Sequence, residues 1–355
     1  MRSTRGLRDE LVAHLAEQPF GPDAPESALR LWERLRDLAA DGKLVRPALV
    51  DLGYRTVRPG AGGPPEVVRL GIAFELLHAA LLVHDDVIDR DRLRRGRPTV
   101  AEQFRRDAVQ AGAPEQEAAH LGVSAGVIGG DVLLTQALRL AASCSADPAV
   151  NAVVAPVVFD AATQAAAGEL EDVLFSLHRY GEDHPDAERI LAMERRKTAG
   201  YSFEAPLRSG ALLAGASAEH AGALAAAGSK LGVAYQVIDD VLGTFGDPRE
   251  TGKPADTDLR EGKATVLTCH ARSDAGARDA LARVAAAEAH GLDALASAVA
   301  EARTAVRASG AVEYATGLAA ELVAEARHLI GSLGLGPREQ EDFAAACHHI
   351  LHRKA

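Results

Sequence analysis

Cysteine, aromatic side chains and positive charge are all scarce in this chain, and each scarcity closes off a class of protein. The three cysteines, Cys144, Cys269 and Cys347, are widely separated. They show neither zinc-ligand spacing nor a disulfide framework, so a reducing, cytoplasmic compartment is expected. Aromatic residues make up 4% of the 355 positions, and the sequence is rich in Ala, Leu, Glu and Arg, a composition that favours helix over sheet. Fifty acids against 39 bases leave a formal net charge of -11, which argues against a general nucleic-acid binder. The opening "MRSTRGLRDELVAHLAEQPF" has no apolar core of signal-peptide length. No uninterrupted apolar run reaches ~18 residues, so no membrane span is expected. The longest candidate, "GVSAGVIGGDVLLTQALRLAAS", is cut by Asp131. No Ser-His-Asp or Cys-His arrangement stands out for nucleophilic catalysis.

What is present is helix after helix. Apolar periodicity predicts helices over 7–18, 26–40, 44–53, 67–90, 98–106, 115–143 and 147–177, and again over 185–213, 217–245, 263–272, 275–289, 292–307, 311–331 and 336–352. No convincing strand–turn–strand run is visible, so the fold class is all-α. No boundary has the composition of a flexible linker, and residues 1–355 read as one domain. The Ala-rich segment from about 274 to 331 reads as packing scaffold. The longest polar break, "FGDPRETGKPADTDLREGK" (245–263), has the length of a lid.

Chemistry concentrates in "LLVHDDVIDRDRLRRGRPT" (81–99). On a helix, residues three and four apart share a face, so Asp85 and Asp89 project together, on the stripe that carries Glu75, His78 and Leu82. Two carboxylates one turn apart repel unless a cation lies between them. Hard oxygen ligands suit Mg²⁺, which binds through one or two carboxylates plus phosphate oxygens. A solvated acidic helix end would explain one such pair. A second copy, "YQVIDDVLGTFGD" (235–247), sets Asp239 and Asp240 after another apolar helix. Lys43, Arg46, Arg94, Arg95, Lys197, Lys253 and Lys263 stand at helix ends or in loops, as the surroundings of a polyanion require. Together they indicate a diphosphate held by Mg²⁺ and a ring of cations.

These motifs, in their order, resemble the trans-isoprenyl diphosphate synthases, the polyprenyl synthetase family. The likeness runs from about residue 40 to 270 through "DGKLVRP" (41–47), "ELLHAALLVHDDVIDRDRLRRGRPT" (75–99), "GGD" (129–131), "GELED" (168–172), "KTAGYS" (197–202) and "YQVIDDVLGTFGDPRETGKPADTDLREGKAT" (235–265). The resemblance implies the isoprenoid synthase fold, an antiparallel helical bundle around a central cavity, as a homodimer. It implies three Mg²⁺ ions, two at Asp85 and Asp89 and one at Asp239, with Asp86 and Asp240 in support. It assigns Arg94, Lys197, Lys253 and Lys263 to the allylic diphosphate, and Lys43, Arg46, His78 and Arg95 to isopentenyl diphosphate. It puts Thr198 and Gln236 near the forming carbocation. In this chemistry an allylic diphosphate ionises, the second substrate's double bond attacks, and the released diphosphate takes the final proton. The 245–263 loop would keep water out.

The chain departs from the family pattern at four points. Gly243 stands where a third Asp is usual in the second motif, Asp41 replaces a glycine, Glu169 a glutamine and Tyr235 a phenylalanine. Product length is set, in this family, by side chains one to two turns before the first aspartates. Phe74, Leu77 and Leu81 lie within a quarter turn of Asp85, and neither Ala80 nor Leu81 is aromatic. A twenty-carbon geranylgeranyl product is expected, with Phe74 as a floor, and a farnesyl or longer polyprenyl product stays open. Two rivals are a terpene cyclase, which needs no second diphosphate site, and a non-catalytic modulatory subunit, which should lose metal ligands. His84 reads as a packed or capping histidine, and His348 and His352 as surface helix. In the resembled family a basic C-terminus can reach the isopentenyl diphosphate site, so the resemblance implies at most a minor role for Arg353 and Lys354 there.

Overall fold

The structure, a computed structural model, describes residues 4–60, 63–178, 180–246 and 256–353. Among them the chain is helical almost throughout, as its composition predicts. The helices fall into two compact units, each discontinuous in sequence. One takes in the chain up to Asp160 together with Ala205–Ala221, and the other Ala161–Glu204 together with Gly222 onward.

The first unit contains α1 (Thr4–Leu15), α2 (Glu26–Ala40), α3 (Val45–Arg55), α4 (Pro65–Ile88), α5 (Val100–Gln110) and α6 (Glu115–Ala142). It also takes the start of α7 (Pro148–His178) and all of α9 (Ala205–Leu213). α4 opens with Pro65, whose missing N–H costs nothing in a first turn. Its apolar residues run all round the helix, so it lies inside: Leu70, Phe74, Leu76 and Leu77 have no exposed surface. Each such side chain contributes about 1.5–3 kcal/mol by leaving water. α6 approaches α4 through small residues: a Cβ at Gly126 would strike Val87, and one at Gly130 the ring of His84. His84 is thus a packed histidine, its Nε2 3.3 Å from Val127 O and 3.4 Å from Asp131 Oδ1.

Among the described residues the absence of strands holds but for one feature. Leu93–Arg94 and Arg97–Pro98 form an antiparallel two-residue ladder, β1 and β2. Arg95 (φ 51°) and Gly96 (φ 72°) make its turn, the positive-φ pair that a two-residue hairpin demands. Two residues a side are too few for an alternating pattern to appear in the sequence.

The second unit holds the rest of α7, α8 (Ala187–Glu194), most of α10 (Ala218–Phe245) and α11 (Thr257–Glu261). The remaining helices are α12 (Val266–Ala271), α13 (Ala275–Ala287), α14 (Leu292–Ala308), α15 (Ala311–Gly331) and α16 (Pro337–Leu351). Asp186 caps α8, accepting from the Arg189 N–H at 2.9 Å, and Thr265 and Thr268 form a reciprocal box at α12. The Ala-rich segment packs as expected: Ala298, Ala302, Ala315, Ala319 and Ala326 are buried. The helix predicted over 185–213 is not regular. Arg195–Glu204 is wound with i→i+5 hydrogen bonding between α8 and α9. Such wide turns are rare, cost packing and occur at functional positions; this one carries Lys197 and Thr198.

By length and mean hydropathy, three helices are apolar enough to cross a membrane: Pro65–Ile88, Glu115–Ala142 and Pro148–Leu177. An uninterrupted apolar run is a stricter criterion, because it stops at Asp131 whereas a hydropathy average passes over it. The apolar window of α4 is 72% buried, but those of α6 and α7 are 39% and 33% buried. α6 exposes Leu121, Val127 and Ile128, and α7 exposes Leu170, Leu174 and Leu177.

Candidate active site

In the first unit, the aspartates sit on the last turn of α4, which ends in a Schellman turn. Arg90 adopts a left-handed φ of 58°, its N–H donates to Val87 O (3.3 Å), and the Asp91 N–H donates to Asp86 O (2.8 Å). A non-glycine there costs roughly 1–2 kcal/mol. The turn, with the hairpin after it, folds Arg94 back onto the helix end. Arg94 donates through Nε to Asp86 Oδ1 (2.6 Å) and through Nη2 to Asp85 Oδ2 (2.9 Å). Its guanidinium spans both acids as a fork. Asp86 is almost fully enclosed. Burial pushes its carboxyl up to about 6, against the opposing pull of Arg94. Asp89 closes the helix, its N–H on Asp85 O at 2.8 Å.

A cavity of about 350 Å³ opens one to three turns back along the same helix face, lined among others by Arg34, Glu75, His78, Arg94, Arg95 and Arg97. Burial raises the pKa of Glu75, opposed by the charges of Arg46, Arg95 and Arg8. His78 is pushed well below the usual imidazole range by burial and then by Arg46, Arg94 and Arg95, so it is neutral at pH 7. Gly42 allows Glu75 to pack against the α2–α3 turn, where any Cβ would collide with the carboxyl. Arg95 donates through Nη1 to Asp41 O at 2.5 Å, and the Asp41 carboxylate lies 3.7 Å away. The unusual Asp41 therefore serves as an anchor for Arg95. A polyanion entering this cavity meets guanidinium groups already in place.

In the second unit, Lys197 Nζ contacts two carboxylates of α7, Asp172 Oδ2 at 2.5 Å and Glu169 Oε2 at 3.0 Å. Glu169, where glutamine is usual, thus becomes an ion-pair partner. The contact depends on Gly168: a Cβ there would stand 2.7 Å from Lys197 Cα and closer still to its backbone nitrogen. On α10, Gln236 Nε2 donates to Asp240 Oδ1 at 2.8 Å. Asp240 is buried, and burial and the neighbouring Asp258 and Asp239 charges raise its pKa well above the usual range. Buried Glu194, against Asp240, is raised for the same reasons: desolvation first, then Asp240 and Asp172. Asp239 is about half exposed and takes the Arg353 Nη1 at 2.6 Å, while that guanidinium lies 4.1 Å above the Tyr235 ring. Lys263 Nζ is 3.4 Å from Glu261 Oε2.

The structure thus brings Asp85, Asp86, Asp89 and Arg94 together, with His78 and Arg95 on the adjoining cavity, and groups Gln236, Asp239 and Asp240 on α10. Lys43 precedes α3 and Arg46 lies in its first turn, where Arg46 reaches Glu75 and His78 electrostatically. Lys197 and Thr198 share the wide-turn segment. Lys253, Asp247 and most of the expected lid lie outside the described residues. Three placements differ from expectation. Arg94 rests on the aspartates, Gln236 is engaged with Asp240, and Arg353 lies on Asp239. Sequence reasoning gave no role to Asp41, Asp172, Glu194 or Asp258. All four are brought to their partners by packing, Asp172 from 25 and Asp41 from 54 positions away.

Among the described residues no group of three acids, histidines or cysteines is set to hold a metal ion by itself. The donors are carboxylate oxygens, and Asp86 Oδ2 is buried without a hydrogen-bond partner. Both facts fit Mg²⁺, which takes one or two carboxylates and completes its shell with water and phosphate.

Residues 30–302 match the sequence model of the family described as Polyprenyl synthetase. The chain is 32% identical over 311 residues to a geranylfarnesyl diphosphate synthase of Aeropyrum pernix, covering 86% of this chain and 88% of the relative. It is 29% identical over 317 residues to a (2E,6E)-farnesyl diphosphate synthase of Mycobacterium tuberculosis, covering 88% and 80%. Among solved structures it is similar to a geranylgeranyl pyrophosphate synthase from Corynebacterium glutamicum complexed with isoprenyl diphosphate and magnesium. The TM-score is 0.88 and the identity 26%, over 99% of this chain and 98% of the other. The all-α architecture is therefore the isoprenoid synthase fold.

Proposed function

The chain belongs to the polyprenyl synthetase family and is a prenyltransferase, and on that footing we propose that it condenses isopentenyl diphosphate with an allylic diphosphate to give geranylgeranyl diphosphate. The observation that carries this reading is the arginine-lined cavity beside the Asp85–Asp86–Arg94 cluster. A cyclase has to ionise one diphosphate and has no use for a second anion pocket next to the first. A modulatory subunit has no reason to retain Asp85, Asp86 and Asp89.

Asp85 and Asp89 hold two Mg²⁺ ions and Asp239 a third; bound Mg²⁺ supplies positive charge to the departing diphosphate. Arg94, Lys197, Lys253 and Lys263 orient the allylic diphosphate, and Lys43, Arg46, His78 and Arg95 bind isopentenyl diphosphate. Neutral His78 donates one N–H without adding to the positive charge of the arginines. Thr198 and Gln236 line the path of the carbocation, with Asp240 fixing the Gln236 amide. The released diphosphate accepts the final proton, so no protein base is required. Phe74 and Ala80, both buried on α4, support the chain-length reading: a bulky side chain lies two turns below a small one on the helix that carries the first aspartates.

We further take residues 1–355 as one catalytic domain, because α7 and α10 each run unbroken through both units. The exposed Leu121, Val127 and Ile128 of α6 are the surface a second copy would cover, giving a homodimer rather than a membrane-spanning protein. The free cysteines support the cytoplasm. The test is a product assay with Mg²⁺, isopentenyl diphosphate and, separately, dimethylallyl, geranyl and farnesyl diphosphate. One dominant twenty-carbon diphosphate is expected. Hydrocarbon or alcohol released without consumption of isopentenyl diphosphate would make the chain a cyclase.

A further inference from the structure

Glu75 stands on α4 nearly three turns before Asp85, and no step described so far uses it. It lines the arginine-rich cavity and is 2% exposed. Its Oε2 is buried without a hydrogen-bond partner among the described residues, an arrangement that costs free energy until a partner arrives. The chain around it is built to present cations. Gly42 brings the α2–α3 turn against the other carboxyl oxygen, where any Cβ would collide. Arg8 of α1 ties that turn down, donating to Ala40 O and, through Nη2, to Gly42 O at 2.8 Å. Arg95 of the hairpin donates to Asp41 O in the same turn, and Arg46 comes from the first turn of α3. These three guanidinium groups are the charges that act on Glu75, Arg46 most strongly.

The other charged groups of the cavity have different work. Arg34 of α2 pairs with Asp107 at 2.5 Å, Arg94 spans Asp85 and Asp86, and the Asp41 carboxylate lies beside Arg95. Asp37, Arg97 and the neutral His78 complete the titratable lining. An anion in this cavity and an ionised Glu75 compete for the same arginines. Burial opposes the ionised carboxylate and the guanidinium groups favour it; burial prevails, so the pKa of Glu75 is raised. A diphosphate that engages Arg46 and Arg95 removes the pull that keeps Glu75 ionised and sets like charge beside it. The carboxyl is then neutral, and a neutral carboxyl has an O–H to donate where a carboxylate can only accept.

We propose that Glu75 is a further residue of the second diphosphate pocket, one that takes up a proton from solvent as isopentenyl diphosphate enters and donates the resulting O–H to a diphosphate oxygen. No other covalent bond forms or breaks. In the free protein the same carboxylate balances the arginines that the substrate later claims. Because Glu75 holds its proton more tightly in the complex than in the free protein, its contribution to affinity is full at the acid end and is lost as pH rises. The inference rests on the cavity being the isopentenyl diphosphate site, and the experiment keeps the two claims apart.

Isopentenyl diphosphate is titrated calorimetrically into the full-length protein, with EDTA and without allylic substrate so that nothing turns over, in buffers of different ionisation enthalpy across a range of pH. The buffer dependence of the heat counts the protons taken up. Wild type is compared with Glu75→Gln, a neutral donor at every pH, and protonation of the ligand itself is common to both. Wild type is expected to take up more protons than the variant, by at most about one. The variant should bind as wild type does at the acid end and more tightly at the alkaline end, by up to about ten-fold per pH unit within the window. A merely structural role for Glu75 would leave the proton count unchanged. Equal counts refute the role of Glu75 and leave the pocket standing, whereas no binding by wild type overturns the pocket and this inference with it. If Glu75→Gln does not fold, wild type decides by infrared difference spectroscopy: binding should convert a carboxylate band into a protonated-carboxyl band, and a spectrum without that conversion overturns the proposal.

Discussion

Replacing Gly168 by alanine tests how Lys197 is placed. The added Cβ would stand 2.7 Å from Lys197 Cα, where ordinary contact begins at 3.4 Å. The neighbours are backbone atoms, so they cannot rotate away, and the Lys197 segment must retreat by at least about 0.7 Å. Overpacking of this kind costs about 1–3 kcal/mol. The displacement also draws Lys197 Nζ from Asp172 and Glu169, and misplacement near 1 Å can cost about 10²-fold in rate. The expected outcome is a clear fall in denaturant midpoint together with a roughly 10–100-fold drop in turnover. Gly222→Ala is the control: it is helical with nothing within 4 Å of the added carbon, and should gain about 0.5–1 kcal/mol from helix propensity without affecting the rate. If Gly168→Ala matched wild type within two-fold in turnover and within 0.5 kcal/mol in stability, the packing argument for Lys197 would be wrong.

Three other expectations follow. Asp85→Ala and Asp239→Ala should each lower turnover by orders of magnitude, and unchanged turnover in either would remove that residue from the metal set. Ala80→Phe should shorten the dominant product, read by chromatography of the dephosphorylated alcohols; an unaltered spectrum would reject α4 as the ruler. His184 is lowered to about 4 from 6.5, chiefly by burial. Its folded pKa lies below its unfolded one, so its stabilisation is full above pH 6.5 and is lost as pH falls toward 4. With the ring partly solvated, this is worth about 1–2 kcal/mol after discounting. Denaturation curves across that window should flatten in His184→Gln relative to wild type, and parallel curves would refute the assignment.

Periodicity revealed nearly every helix, because α4 and its neighbours obey the ordinary logic of apolar faces. It missed Arg195–Glu204, since a sequence carries no mark of a turn widened by one residue. It missed the β1–β2 hairpin, which is too short to alternate. Among the candidate site residues, the Asp85–Asp89 pair was read from spacing at the end of one helix and Asp239 from a second acidic pair after another. Their partners were not. Arg94 reaches Asp85 and Asp86 only because a left-handed Arg90 and a tight hairpin reverse the chain. Gly243 read as a missing acid, and the carboxylate that meets it, Asp258, comes from a segment fifteen positions further on. Asp41 and Glu169, departures from the family pattern, gain their meaning from Arg95 and Lys197, contacts that exist only after folding.

Arg353 on Asp239, and Arg94 across Asp85 and Asp86, give the carboxylates on both aspartate-bearing helices resident counter-ions from the chain itself. On the proposed reading, metal entry exchanges one cation for another, so its affinity measures a difference between two occupants rather than the strength of one. At Asp239 the outgoing cation is the Arg353 guanidinium, so a change at Arg353 alters the apparent metal requirement without touching a ligand.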